Sequence, residues 1–287
     1  MYSEVSVSSK ASSYTISTTT GMRKKKEKKR DIQNLFEYIG KIDSAISVAS
    51  LRAGTAQTCI PEFSTAVKAM EVSGMHHPLI EHCIENELTI ENKSILITGS
   101  NMSGKSTFLR TLIINSILAQ TIYTCFASRF KSPMLKQFSS IRIDDDLFEG
   151  KSYYFQEVSI MASLLNQVES SDQKLFVLDE VFKGTNTIER IAAAKAILSY
   201  LNRENHIVLV ATHDHELAEL LSKEYDLYHF TELVKDNELH FDHRIKIGPL
   251  KTRNAIKVLE LSNYPEDVIQ EARMIALKLD KAQQASD

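Results

Sequence analysis

No stretch of this chain approaches the ~18 consecutive apolar residues that a membrane-spanning helix needs, so no membrane partner is expected. The first residues, MYSEVSVSSKASSYTISTTTG, also lack the apolar block of a secretory signal. Their Ser/Thr-rich, acid-poor composition is that of a transit peptide, but the amphipathic pattern is weak and a disordered leader is the simpler reading. Cysteine is scarce: Cys59, Cys83 and Cys125 are odd in number and widely spaced. That suits neither a disulfide framework nor a zinc site, and makes a reducing cytosol the simplest setting. An excess of one charge is lacking too, since Lys+Arg 34 against Asp+Glu 37 leaves a net charge of -3. No global field draws the chain to nucleic acid or to a membrane, and only local patches could argue for either.

What is present suits a globular protein. At 287 residues, 43% hydrophobic and 25% charged, the chain can build one sizeable α/β domain with a smaller appendage. Residues 1–30 end in the run Arg23, Lys24, Lys25, Lys26, Glu27, Lys28, Lys29, Arg30, and read as a disordered basic leader. The run reads as a solvated helix flank ahead of a contact for DNA phosphates. From Asp31 to about Ala53, Leu35, Ile39, Ile42 and Ile46 recur at helical spacing, which predicts an amphipathic helix in need of a partner surface. Pro61, Gly74 and Pro78 break the next stretch into short strands and loops.

The signals then sharpen. Ser94–Thr98 (SILIT) predicts a strand, and apolar spacing of three and four from Lys105 to about Tyr123 predicts a helix. Further strands are expected at Leu175–Leu178, Ile207–Ala211 and Leu227–Phe230, with helices near Tyr154–Gln167 and Glu189–Asn202. Such alternation argues an α/β fold with a mainly parallel sheet flanked by helices. A charged helix is expected from Pro265 to about Lys281.

Gly99-Ser100-Asn101-Met102-Ser103-Gly104-Lys105-Ser106 fits G-x-x-x-x-G-K-[ST] between a predicted strand and a predicted helix. The glycines let successive N–H groups face phosphate oxygens, the helix N-terminus adds positive charge, and Lys105 neutralises the β- and γ-phosphates of ATP. Ser106 is expected to ligate Mg²⁺. Leu175-Phe-Val-Leu178-Asp179-Glu180 is an apolar strand ending in two acids, where Asp179 would hold Mg²⁺ through water and Glu180 would activate the attacking water. A third strand ends in Thr212-His213, an imidazole placed to donate to the γ-phosphate, although a lone histidine is more often structural. The run His213-Asp214-His215-Glu216 is not a zinc site, because adjacent positions share no helix face.

Gly99–Thr107 (GSNMSGKST), Asp144–Ser152 (DDDLFEGKS), Leu178–Thr187 (LDEVFKGTNT) and Ala211–His213 (ATH) occur in the order and approximate spacing of the MutS family of DNA mismatch-repair ATPases, which the chain resembles over roughly residues 35–280. The resemblance implies an ABC-type P-loop ATPase that dimerises with nucleotide at the interface, with a C-terminal helical dimerisation segment. It divides the chain into the leader 1–30, a helical remnant of a core or lever region 31–72, the ATPase domain 73–250 and the C-terminal segment 251–287. It also assigns Ser152 to the γ-phosphate of the partner subunit, Asn186 to a loop crossing between subunits, and Cys83, Ile84 and His243 to the surroundings of the adenine.

Three departures stand out. Ser100 and Ser103 replace a proline and a small residue, Tyr153-Tyr154 replace Thr-Phe after the signature serine, and Cys83 stands where an aromatic commonly stacks. Phe155-Gln-Glu157 spells a mismatch-reading motif but falls in the ATPase segment, and reads as coincidence. The family's mismatch-binding and clamp regions would need several hundred residues before Asp31, so the chain is expected to correspond to the ATPase end of such a protein. The expected activity is Mg²⁺-dependent ATP hydrolysis by a homodimer coupled to duplex DNA, with a nucleotide-dependent interaction module of negligible turnover as the alternative.

Overall fold

The structure is a computed structural model that describes residues 8–55, 57–100, 102–141, 153–169, 172–182, 184–235, 238–250 and 255–284. The chain divides into two compact units, Met1–Ala56 and Gln57–Asp287. The first is one helix, α1 (Ser8–Ala53). Its apolar stripe, Leu35, Ile39, Ile42 and Ile46 together with Ile32 and Phe36, is exposed.

The helix extends back to Ser8, where the composition predicts a disordered leader. Over residues 23–30 the reason is local: low hydrophobicity argues against burial, whereas their Lys, Arg and Glu are strong helix formers that prolong a neighbouring helix cheaply. The helix stops at Ala53 and the second unit begins at Gln57.

In the second unit the elements run β1 (Glu62–Phe63), β2 (Ala69–Met75), β3 (Asn86–Glu91), β4 (Ser94–Thr98), α2 (Lys105–Ile122), β5 (Arg129–Ser132), β6 (Lys136–Ser140), α3 (Tyr153–Leu165), β7 (Lys174–Asp179), α4 (Thr187–Leu201), β8 (Ile207–Thr212), α5 (His215–Leu221), β9 (Tyr225–His229), β10 (Glu232–Lys235), β11 (Glu238–Phe241), β12 (Lys246–Ile247), α6 (Ala255–Leu261) and α7 (Glu266–Gln284). The main sheet has six strands in the order β12-β9-β4-β8-β7-β6. All its pairings are parallel except that of β12 at the edge. A second sheet, β1-β5-β2-β3, has four strands.

Strand periodicity of two explains why helices cover both faces of the main sheet. Ile95, Ile97, Val177, Leu209 and Ala211 enter a core shared with Phe108, Leu109 and Leu112 of α2. Their chain neighbours Leu96, Phe176, Leu178, Val208 and Val210 enter another, with Leu164 of α3, Leu198 of α4 and Leu217 of α5. Each fully buried aliphatic side chain contributes about 1.5–3 kcal/mol, and every residue of β4 and β8 is buried.

Register then positions the site. Thr98 pairs with Thr212, and Asp179 with Ala211, so β4, β7 and β8 end side by side. Parallel α/β sheets bind ligands at that carboxyl edge.

Candidate functional site

From β4 the chain enters the loop at Gly99 and leaves it at Lys105, the first residue of α2. Gly99 has φ 154° and Gly104 φ 115°, conformations that side chains rarely tolerate. A Cβ on Gly99 would lie 2.9 Å from the Phe230 carbonyl oxygen and 3.0 Å from Ser103 Oγ. Gly104 is the N-cap of α2 and supplies no side-chain cap. The first N–H groups of the helix lie at the positive end of its dipole.

Lys105 is buried and folds back over the loop, its Nζ donating to the carbonyls of Gly99 at 2.6 Å and Ser100 at 2.8 Å. The two serines that depart from the family pattern brace this turn. Ser103 Oγ donates to the Ser100 carbonyl at 2.8 Å, and Ser100 Oγ to Glu232 Oε2 at 2.7 Å. Met102 (φ 67°) is exposed, and Asn101 lies outside the described residues.

A cleft of about 590 Å³ opens beside the loop, a volume that suits a small ligand. Ser100, Met102, Gly104, Lys105, Ser106 and Thr107 line it together with Asp179 and Glu180. Ile84, Cys83 and His243, assigned by resemblance to the adenine, line it too. Ser106 and Asp179 offer the hard oxygen ligands that magnesium prefers. Among the described residues no three His, Cys, Asp or Glu converge into a metal centre.

Sequence reasoning missed the brace behind Ile84 and His243. Asn86 Nδ2 donates to the carbonyls of Ile84 at 3.2 Å and His243 at 3.0 Å, while Asn86 Oδ1 accepts from the Ile245 N–H at 2.8 Å. His243 Nδ1 in turn lies 3.1 Å from the Ser103 carbonyl. Phe230, which closes over Gly99 and meets Phe108 edge to face, was missed as well. Nothing local marks either residue.

Asp179 ends β7, and Glu180 follows with φ 64°, its N–H donating to the Ala211 carbonyl at 2.9 Å. A left-handed backbone costs a non-glycine residue about 1–2 kcal/mol, and Phe182 (φ 61°) repeats it. Such strain gathers at functional sites because the surrounding fold must hold it in place.

Glu180 Oε1 lies 3.0 Å from His213 Nδ1. Sequence reasoning assigned His213 to a phosphate, whereas here its ring engages Glu180 and its side chain is half exposed. The hydrogen bond to Glu180, with the charges of Glu180 and Asp214, raises the His213 pKa above its usual 6.5. The protonated ring therefore stabilises the fold, fully below about pH 6.5 and less as pH rises through the raised value. The melting-temperature gap between wild type and His213→Asn is expected to be largest at pH 5.5 and to shrink toward pH 9; a gap that widens would contradict this pairing.

Behind His213, Arg190 of α4 clasps Asp214 through two bonds, Nη2 to Oδ1 at 2.7 Å and Nε to Oδ2 at 3.2 Å. Both side chains are largely buried, at 15% and 10% exposure. Truncating one member of such a pair strands the other's charge, which costs about 3–5 kcal/mol. Arg190→Met is expected to lower unfolding free energy by that amount in urea titrations, more than does the double variant Arg190→Met/Asp214→Leu, which removes both charges.

Asn186 stands apart from the cleft lining as the N-cap of α4, its Oδ1 accepting from the Glu189 N–H at 3.0 Å and its Nδ2 donating to Glu189 Oε2 at 2.6 Å. Just before it, a Cβ on Gly184 would meet Tyr154 Cβ at 2.9 Å, so glycine permits the close approach of α3. Glu157 of α3 is buried and accepts the Gly184 N–H at 3.3 Å, while Phe155 is exposed. Ser152 and the segment 142–152 lie outside the described residues.

A glycine-built turn, a helix N-terminus and a lysine at the carboxyl edge of a parallel sheet define the P-loop class of α/β domains. The MutS domain V profile matches residues 95–280, and the chain belongs to that family. Among its relatives are DNA mismatch repair proteins MutS. That of Lactobacillus delbrueckii subsp. bulgaricus is 34% identical over 262 residues, covering 87% of this chain. The Caldanaerobacter subterraneus subsp. tengcongensis protein is 33% identical over 266 residues, covering 88%, and that of Staphylococcus haemolyticus 31% over 268 residues, covering 89%. The chain spans 30% of the length of each of these relatives. No helix among the described residues is long and apolar enough to cross a membrane.

Proposed function

We propose that this chain binds ATP with Mg²⁺ and hydrolyses it, as an ABC-type ATPase module that works as a homodimer and is coupled to duplex DNA in mismatch repair or a related process. One observation carries the reading: the start of α2 with Lys105 and Ser106, and the acids Asp179 and Glu180, the latter in a left-handed backbone, line a single cleft.

The loop amides of residues 99–106 and Lys105 bind the triphosphate, while Ser106 and Asp179 hold Mg²⁺. When bound, magnesium offsets negative charge on the phosphates. Glu180 accepts a proton from the attacking water, and His213 orients the Glu180 carboxylate from behind before reaching the γ-phosphate. Ile84 and His243 border the adenine. Ser152 and Asn186 act across the dimer, completing the partner's site. Positioning and charge stabilisation supply the rate, as in phosphoryl transfer generally.

Phosphate release measured across a range of protein concentrations tests the dimer. The rate per subunit is expected to rise and then saturate, and a flat rate would refute a shared site. Duplex DNA at low salt is expected to change that rate and lose its effect at high salt, as phosphate contacts do. ATP-dependent association with no phosphate release would favour the alternative, a nucleotide-dependent interaction module.

A further inference from the structure

Two of the three cysteines meet in the second unit although far apart in sequence. Cys59 and Cys125 form an isolated antiparallel bridge, exchanging both backbone hydrogen bonds at 2.9 Å. In such hydrogen-bonded pairs the Cα atoms stand about 5.5 Å apart, at the commonest spacing across a disulfide, about 5.5–6 Å. Directly opposite residues of such a pair present their side chains on the same face, with Cβ atoms about 4.5–5.5 Å apart. We propose that Cys59 and Cys125 form a thiol–disulfide exchange site whose co-reactant is a low-molecular-weight disulfide such as glutathione disulfide.

Burial divides the roles. Cys59 is partly accessible, while Cys125 is buried with Sγ 3.7 Å from the Asn115 carbonyl. Accessibility favours Cys59 as the attacking thiolate, and the neighbouring thiol holds its pKa down while, with burial, that of Cys125 is pushed up. The Cys59 sulfur attacks one sulfur of glutathione disulfide, forming a mixed disulfide and releasing one glutathione thiolate. Cys125 then loses its proton to solvent and attacks Cys59 Sγ, breaking the mixed disulfide and expelling the second glutathione. Two protein thiols are oxidised and one glutathione disulfide is reduced to two thiols. The bond joins the segments leading into β1 and β5, just beyond the end of α2 remote from the phosphate loop.

The reduced full-length chain is incubated with glutathione disulfide under native conditions, free thiols are blocked with N-ethylmaleimide, and a digest is mapped by mass spectrometry. The expected result is a peptide pair joined through Cys59 and Cys125 that dithiothreitol dissolves, with Cys83 carrying the blocking group. In Cys125→Ser, Cys59 is expected to stop at the glutathione adduct. The proposal falls if wild-type Cys59 stops at that adduct, pairs with Cys83, or stays unmodified while Cys83 reacts. The wild-type map decides the matter even if the variant folds poorly, and it does not depend on nucleotide binding.

Discussion

Lys105→Ala is expected to weaken ATP binding by about 10–100-fold and to bring phosphate release to background. A hydrogen bond to a charged group contributes about 1.5–3 kcal/mol, and in the proposed function this ammonium is the loop's side-chain cation for two phosphates. Its burial sharpens the effect, because few water molecules screen the charge. The same ammonium bonds the carbonyls of Gly99 and Ser100, so the loop could loosen with it gone. Calorimetric titration with ATP should therefore be paired with a thermal melt. Weakened binding at an unchanged melting temperature assigns the loss to the missing charge. Wild-type affinity in a folded Lys105→Ala protein would remove the phosphate-loop reading altogether.

Glu180→Gln separates binding from chemistry. Gln fills nearly the same volume beside His213 but cannot take a proton from water, and a positioned general base is worth about 10²–10⁴-fold. Turnover is expected to fall by that factor while ATP affinity stays within a few-fold of wild type. Loss of binding would mean that Glu180 shapes the nucleotide site. Unchanged turnover would point to another base. The substitution also removes the charge that raises the His213 pKa, so the His213 ring should titrate at lower pH in Glu180→Gln when followed by NMR.

Much of this site is legible in the residues because its chemistry is local. The phosphate loop needs glycines at fixed offsets between a strand and a helix, and β4 and α2 occupy the expected spans. The buried strands β7 and β8 announce themselves as unbroken apolar runs. The short strands β5 and β6 escaped because their residues are largely polar and take strand form only through their partners. Asn86, Phe230 and the Arg190–Asp214 clasp escaped for a related reason: each joins segments far apart in the chain.

The order of residues by itself determined where the glycine-built loop turns, that a lysine opens the helix after it, and that two acids close a buried strand. These follow from steric and hydrogen-bonding rules acting within a few positions. Tertiary structure alone decided that Asp179, Glu180 and the loop share one cleft, that His213 engages Glu180, and that Cys59 faces Cys125. Strand register and helix packing set those distances, and they depend on the apolar surface of the whole sheet being buried at once.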